Sequence, residues 1–315
     1  MNSFNYYIFL NLISFFTMIL MILFGVAFLT LFERKILGYI QIRKGPNKNF
    51  MIGIFQPFSD AMKLLTKEII IMKFTNYLYF FMSPILSFFI SLIIWLIYPF
   101  YLNLFYFKYS LLFIFCCLGL GVYSSMIGGW SSNSNYSMLG SIRAVAQSIS
   151  YEVSMILMIF CLMIMTEEYN LLMFNNYQYY LSYFWLMIPL YLMFYISLLA
   201  ELNRTPFDLI EGESELVSGF NTEYFSAFFT LFFMAEYSMI MFMSMMITLL
   251  FFKFNNYFIF IYLIHLISIL WIRGVLPRIR YDQLMMMCWK MILPLTLIFL
   301  FFVFSMKLMI IMKLM

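Results

Sequence analysis

The sequence predicts an all-α, polytopic membrane protein with eight transmembrane helices and an amphipathic interfacial helix in its first long loop. Three observations lead there. Of the 315 residues, 65% are hydrophobic and 10% are charged, whereas soluble domains run nearer half apolar and a quarter charged; the mean hydropathy is +0.96. Eight apolar runs approach or exceed the roughly 20 residues a spanning helix needs. Lys and Arg divide unevenly between alternate loops, which is the bias that orients membrane helices. The whole chain, 1–315, therefore reads as a single integral membrane domain, without the alternating strands of a transmembrane barrel.

The expected spans are Phe4–Phe32, Tyr77–Leu102, Ser110–Trp130, Ile142–Met165, Tyr179–Ala200, Glu223–Phe252, Tyr257–Ile272 and Cys288–Met312. Phe4–Phe32 is too long for a signal peptide and has neither a basic region before it nor a small-residue cleavage site after it. Its basic flank, Glu33-Arg34-Lys35, follows it and directs that end to the positive side. Alternating spans then place loops 33–76, 131–141, 201–222 and 273–287 together, with 14 of the 18 Lys and Arg on their side. Only Lys108, Lys253, Lys307 and Lys313 fall opposite, so both termini are expected on the less basic side.

Within the first loop, Lys44-Gly45-Pro46-Asn47 signals a turn, and Pro57 suits a first helical turn. Phe58, Ala61, Met62, Leu65 and Ile69 recur at helical spacing, while Asp60, Lys63 and Lys67 share another face. This pattern describes a helix lying in the interface. It reads either as an anchor for the loop or as a wall of an entrance for a hydrophobic ligand.

The loop after the fifth span is the most acidic stretch. Glu201, Asp208, Glu211, Glu213, Glu215 and Glu223 place six of the 14 acids within 23 residues, against a single base, Arg204. Crowded carboxylates repel, and some should titrate above their reference value near 4. Such a cluster at a membrane edge can hold and exchange protons or bind cations; its plainer reading is a solvated loop. Glu152 and Glu236 lie inside spans, each roughly 15–20 Å from its expected helix start. A carboxylate at that depth is costly and usually faces a protein interior or a wet cavity. Arg143, Gln147 and Tyr151 line one face of the fourth span, with Ser148 and Glu152 as an adjacent pair. Together the two deep acids point to a proton path more than to a structural role.

Other chemistries are excluded or weakly supported. His265 is the single histidine, so two histidines cannot hold a haem within this chain, and it reads as a hydrogen-bonded packing residue. Cys116, Cys117, Cys161 and Cys288 lie in apolar runs without C-x-x-C spacing, so no iron–sulfur or zinc site is expected. The 41 Phe, 30 Met and 24 Tyr are mostly packing residues, and no internal repeat is visible. Arg273, Arg278 and Arg280 in the last basic loop suit anionic lipid heads or a partner's carboxylates.

Five stretches carry a resemblance. They are Glu33-Arg34-Lys35-Ile36-Leu37-Gly38-Tyr39-Ile40-Gln41-Ile42-Arg43-Lys44-Gly45-Pro46-Asn47, Arg143-Ala144-Val145-Ala146-Gln147-Ser148-Ile149-Ser150-Tyr151-Glu152, Glu201 to Asp208 running into Glu211 to Asn221, Met234-Ala235-Glu236-Tyr237, and Leu276 to Leu284. Together they resemble the NADH–ubiquinone oxidoreductase chain 1 family, a membrane subunit of respiratory complex I, over nearly the whole chain. Leu202 and Leu209-Ile210 depart mildly from its pattern.

The resemblance implies eight spans in the mitochondrial inner membrane, the N-terminus facing the intermembrane space and the basic loops facing the matrix. It implies Glu33, Arg34, Glu201, Arg204, Asp208, Glu211, Glu213 and Glu215 around a quinone cavity and acidic funnel, and Glu152, Glu223 and Glu236 in a proton relay. Phe58, Ala61, Met62 and Leu65 would border the quinone entrance. Ubiquinone is the implied substrate. NADH, FMN and iron–sulfur clusters would belong to partner subunits, and no cofactor or metal to this chain alone. The implied partners are other complex I subunits and membrane lipids, cardiolipin among them, with no nucleic acid. The rival readings are an independent ion or solute carrier, which commonly shows paired interrupted helices, and a scaffold subunit without a proton role.

Overall fold

The computed structural model describes residues 2–49, 51–70, 72–98, 107–208, 223–254 and 257–314, and every regular element among them is helical. The long helix α1 (Asn2–Ile40) leads to the short α2 (Gln56–Leu65), then α3 (Tyr77–Ile93), prolonged by a tight turn at Ile94–Ile97. α4 (Ser110–Ser131), α5 (Asn135–Thr166), α6 (Leu171–Tyr177), α7 (Tyr183–Leu186) and α8 (Ile188–Glu201) follow, then α9 (Ser226–Phe251) and α10 (Phe258–Val275). α11 (Tyr281–Met286), a π-helical stretch at Met287–Ile292 and α12 (Leu293–Leu314) complete the chain.

Among the described residues, seven helical segments are long and apolar enough to cross a membrane, making this a multi-pass protein: Phe9–Ile40, Tyr77–Ile97, Ser110–Ser131, Asn135–Thr166, Ser226–Phe251, Phe258–Val275 and Tyr281–Met312. The expected Tyr179–Ala200 is the segment that differs. It is interrupted at Met187 (φ −134°, ψ 49°), between α7 and α8. Pro189 is the reason: without an N–H it belongs in the first turn of a new helix, not the middle of an old one. The 14 residues of α8 extend about 21 Å, short of a hydrocarbon core about 30 Å thick.

Three expected boundaries also move. α1 runs on to Ile40, so Glu33, Arg34 and Lys35 are helical residues, not the start of a loop. It ends where Ile42 turns left-handed (φ 57°) and the Arg43 N–H closes back on the Gly38 carbonyl at 2.8 Å. α5 begins at Asn135, seven residues before the expected start at Ile142, so most of the expected loop 131–141 is helix. Its polar first turns are held by the neighbouring helix rather than by propensity. α2 stops at Leu65, where the Thr66 hydroxyl donates to the Met62 carbonyl at 2.8 Å; Lys67 and Ile69 lie beyond its end.

α9 is buried over most of its length and forms the centre of the bundle, packed by α3, α10, α1 and α2. α4 lies between α3 and α5, while α12 leans on α5 and is exposed along most of its surface. At Gly129 the α4 and α5 backbones approach so closely that a Cβ would sit 2.1 Å from Ser141 Oγ and 2.3 Å from its Cβ. Gly129→Ala should therefore push the helices apart, costing about 1–3 kcal/mol. The check is a lower thermal midpoint of the isolated assembly, and an unchanged midpoint would refute the close approach.

Among the described residues, the ends of α1, α2 and α9 meet at one end of the bundle. Arg34 pairs with Asp60 at 2.5 Å, tying α1 to α2. The Ser226 hydroxyl donates to the Lys67 carbonyl at 2.7 Å, tying α9 to the same place. At the opposite end Lys307 pairs with Glu167 at 2.7 Å, and Lys253 lies 3.8 Å over the Tyr179 ring. His265 is buried in α10, its Nδ1–H donating to the Ile261 carbonyl (2.8 Å) and its Nε2 accepting from the Tyr191 hydroxyl (2.9 Å). It is thus the hydrogen-bonded packing residue expected of it.

Candidate functional site: a charge chain beside a cavity

The last two turns of α1 carry Glu33 inward, where it is only 3% exposed. Its carboxylate is ion-paired to Arg273 on the last turn of α10 and lies 3.9 Å from Arg204 Nη1. The other arm of Arg204 reaches to 3.8 Å from Glu236 Oε2 on α9. The same guanidinium lies 4.5 Å over the Tyr237 ring, a cation–π contact that strengthens where water is excluded. Glu33, Arg204 and Glu236 thus form a chain of alternating charge from α1, across the segment after α8, to α9. Glu33 and Arg204 are largely buried, and such charges persist only when paired, whereas Glu236 is 33% exposed.

α5 holds the segment that carries Arg204. The fully buried Gln147 uses both N–H bonds of its carboxamide, donating to the Ala200 carbonyl (2.8 Å) and the Phe207 carbonyl (2.9 Å). One turn along, the Tyr151 ring packs 6.2 Å from Phe207, and its hydroxyl donates to the Leu284 carbonyl at 3.1 Å. The segment turns through a cis Thr205–Pro206 bond. It is then stitched to the last basic loop: the Ile279 N–H donates to the Pro206 carbonyl (2.9 Å), and Asp208 lies 3.4 Å from Arg278.

Beside this chain is a cavity of about 150 Å³ between α3, α4, α5, α8 and α9. Ser87, Ser91, Ser124, Ser125 and Ser148 bring hydroxyls to its wall, and Glu201 and Glu236 bring carboxylates. At about 30 Å³ each, it has room for several waters with polar partners. Glu201 Oε2 is buried without a hydrogen-bond partner among the described residues, so water in the cavity is its available partner. Glu152 lies just outside the wall, packed on α4 where a Cβ at Gly119 would stand 3.3 Å from its Oε1. It is 17 residues from the start of α5, about 26 Å along a helix of about 48 Å, and so still near the middle.

Not every expected residue joins this site. Arg34 faces outward to Asp60, and Glu223 enters no ion pair among the described residues. Phe58 meets Phe28 of α1 edge-on at 6.2 Å, while Ala61, Met62 and Leu65 are exposed along α2. Glu211, Glu213 and Glu215 lie outside the described residues.

Residues 13–304 match the family model described as NADH dehydrogenase. The chain belongs to the NADH dehydrogenase family. Curated relatives named NADH-ubiquinone oxidoreductase chain 1 include those of Apis mellifera ligustica, 52% identical over 94% of this chain and 97% of the relative, and Aedes aegypti, 51% identical over 95% and 96%. A vertebrate relative of the same name, from Monodelphis domestica, is 45% identical over 91% and 93%. Within this member of the family the site also includes residues with no motif to mark them. Arg273 was grouped only with the basic loop, although it pairs with an acid 240 positions earlier. Gln147 was visible as a polar position on an α5 face, but its partners are backbone carbonyls, which leave no sequence signal.

Proposed function

We propose that this chain is a core membrane subunit of respiratory complex I, the proton-translocating NADH:ubiquinone reductase. In this reading it forms part of the ubiquinone entrance and cavity and couples quinone reduction to proton translocation. NADH, FMN and iron–sulfur clusters belong to partner subunits, and ubiquinone is the substrate that this chain guides. The chain crosses the mitochondrial inner membrane eight times, with α7 and α8 as the interrupted fifth crossing. Its N-terminus faces the intermembrane space and its basic loops the matrix. The exposed apolar side of α2, with Phe58, Ala61, Met62 and Leu65, lies in the interface at the quinone entrance. Arg280, exposed near Asp282, meets anionic lipid heads, cardiolipin among them.

The observation that carries this reading is the Glu33–Arg204–Glu236 chain ending on a cavity that also holds Glu201. Reduction of a quinone to a quinol takes up two electrons and two protons, so it changes the charge and proton demand beside the acidic loop. Arg204 stands nearly equidistant from two carboxylates, and a change at the Glu33 end biases it away from or toward Glu236. Glu236 then exchanges protons with cavity water and Glu201, the serine hydroxyls supply further hydrogen bonds, and Glu152 takes the change onward. Asp208, Glu211, Glu213 and Glu215 form the funnel leading inward, with Arg34 at its outer rim paired to Asp60, and Glu223 joins the relay between the funnel and the membrane.

Glu236→Gln in the assembled complex should lower quinone-linked turnover and pumping about tenfold, below the roughly 10²–10⁴-fold of a group that transfers a proton directly at the reacting centre, because Glu236 relays protons at a distance from it. NADH oxidation by a soluble artificial acceptor should be unchanged. Normal turnover and normal protons pumped per quinone would remove Glu236 from the relay and favour a purely structural subunit.

A further inference from the structure

A second cavity, of about 570 Å³, opens at the opposite end of the bundle between α5 and α12. Phe160, Met163 and Ile164 of α5 and Leu300, Phe304 and Leu308 of α12 make its walls apolar. Its rim is charged. Glu167 caps α5 in a left-handed turn (φ 57°), and Lys307 reaches it at 2.7 Å while also donating to the Ile164 carbonyl. Those contacts employ two of the three N–H bonds of the ammonium and leave one to give. Glu168 stands on the same rim and enters no ion pair among the described residues, so the rim carries one base and two acids.

From these features we infer that the cavity is a binding site for a phospholipid with a primary-amine headgroup, of the phosphatidylethanolamine class. The apolar wall below the rim, from Leu300 to Lys307, rises about 10 Å and so lines the outer part of an acyl region in one leaflet of a core about 30 Å thick. The rim matches both headgroup charges: the free N–H of Lys307 meets the phosphate, and the Glu168 carboxylate accepts from the primary ammonium. A quaternary ammonium has no N–H to give there, and a purely anionic headgroup leaves Glu168 facing like charge.

The test is photo-crosslinking of the intact complex in phosphatidylcholine nanodiscs containing phosphatidylethanolamine with a diazirine on one acyl chain. The same probe on phosphatidylcholine serves as the comparison. Adducts mapped by mass spectrometry should concentrate on Phe160, Phe304 and Leu308, severalfold above Ile298 and Phe301, which are exposed elsewhere on α12. The amine probe should be preferred about tenfold, the fold-change of one charge-assisted hydrogen bond. Glu168→Gln should abolish that preference, and Leu308→Trp, which fills the cavity, should abolish the adducts. Equal labelling of the cavity and the control positions, equal labelling by both probes, or crosslinks from the cavity to a partner's helix would each overturn the proposal.

Discussion

Arg204→Met should reduce quinone-linked turnover of the assembled complex by about a hundredfold or more, the largest loss expected from any single change in this chain. Removing one preorganised charged donor from a site where charge changes during the reaction costs about 10²–10³ in rate. Arg204 stands 3.9 Å from Glu33 and 3.8 Å from Glu236, so its loss breaks the chain at the middle. Arg273 still pairs with Glu33, so the damage should concentrate at Glu236 and the cavity. Arg204→Lys keeps the charge but not the two-armed fork or the flat stacking on Tyr237, and should recover part of the rate. Turnover should be measured per assembled complex, counted on native gels, so that lost assembly is not mistaken for lost coupling. Near-normal turnover in Arg204→Met would mean that the alternating chain has no role in coupling.

Gln147→Met is expected to have the largest effect on stability. The thioether is close in size to the carboxamide but donates nothing, which orphans the buried Phe207 carbonyl and leaves the Ala200 carbonyl to the Asn203 N–H at 3.2 Å. The orphan costs about 1–3 kcal/mol and the bond lost at Ala200 about 0.5–1.5 kcal/mol. Gln147 Oε1 is itself buried without a partner among the described residues, and its removal offsets part of that loss. A net cost of about 2–3 kcal/mol remains, lowering the thermal midpoint by roughly 5–10 °C. Differential scanning of the purified complex should show this shift together with reduced retention of the chain. If the midpoint held, the Arg204 segment must be held in place by contacts other than Gln147.

Much of this was legible in the chain itself. Carboxylates are so costly in hydrocarbon that Glu152 and Glu236 declare themselves within apolar runs. Lys and Arg are biased so strongly to one side that the loops sort before any helix is drawn. Less legible were the elements whose stability comes from a neighbour. Asn135 to Ser141 looks like a polar loop, and it is helical because Ser137 and Ser141 pack against Gly129 of α4. Tyr179–Ala200 looks like one span, and hydropathy alone does not register the break that Pro189 imposes at Met187.

The same division holds for the site. By itself the sequence determined the membrane class, the helical architecture and which acids stand within apolar runs, because transfer of apolar and charged groups between water and lipid is a property of each residue alone. Only the tertiary structure decided that Glu33 meets Arg273 and Arg204, that Arg204 bridges to Glu236, and that Gln147 holds the segment between them. Those partners lie far apart in the chain, and backbone carbonyls carry no residue identity. Their pairing follows from helix packing, which hydropathy and charge counts do not encode.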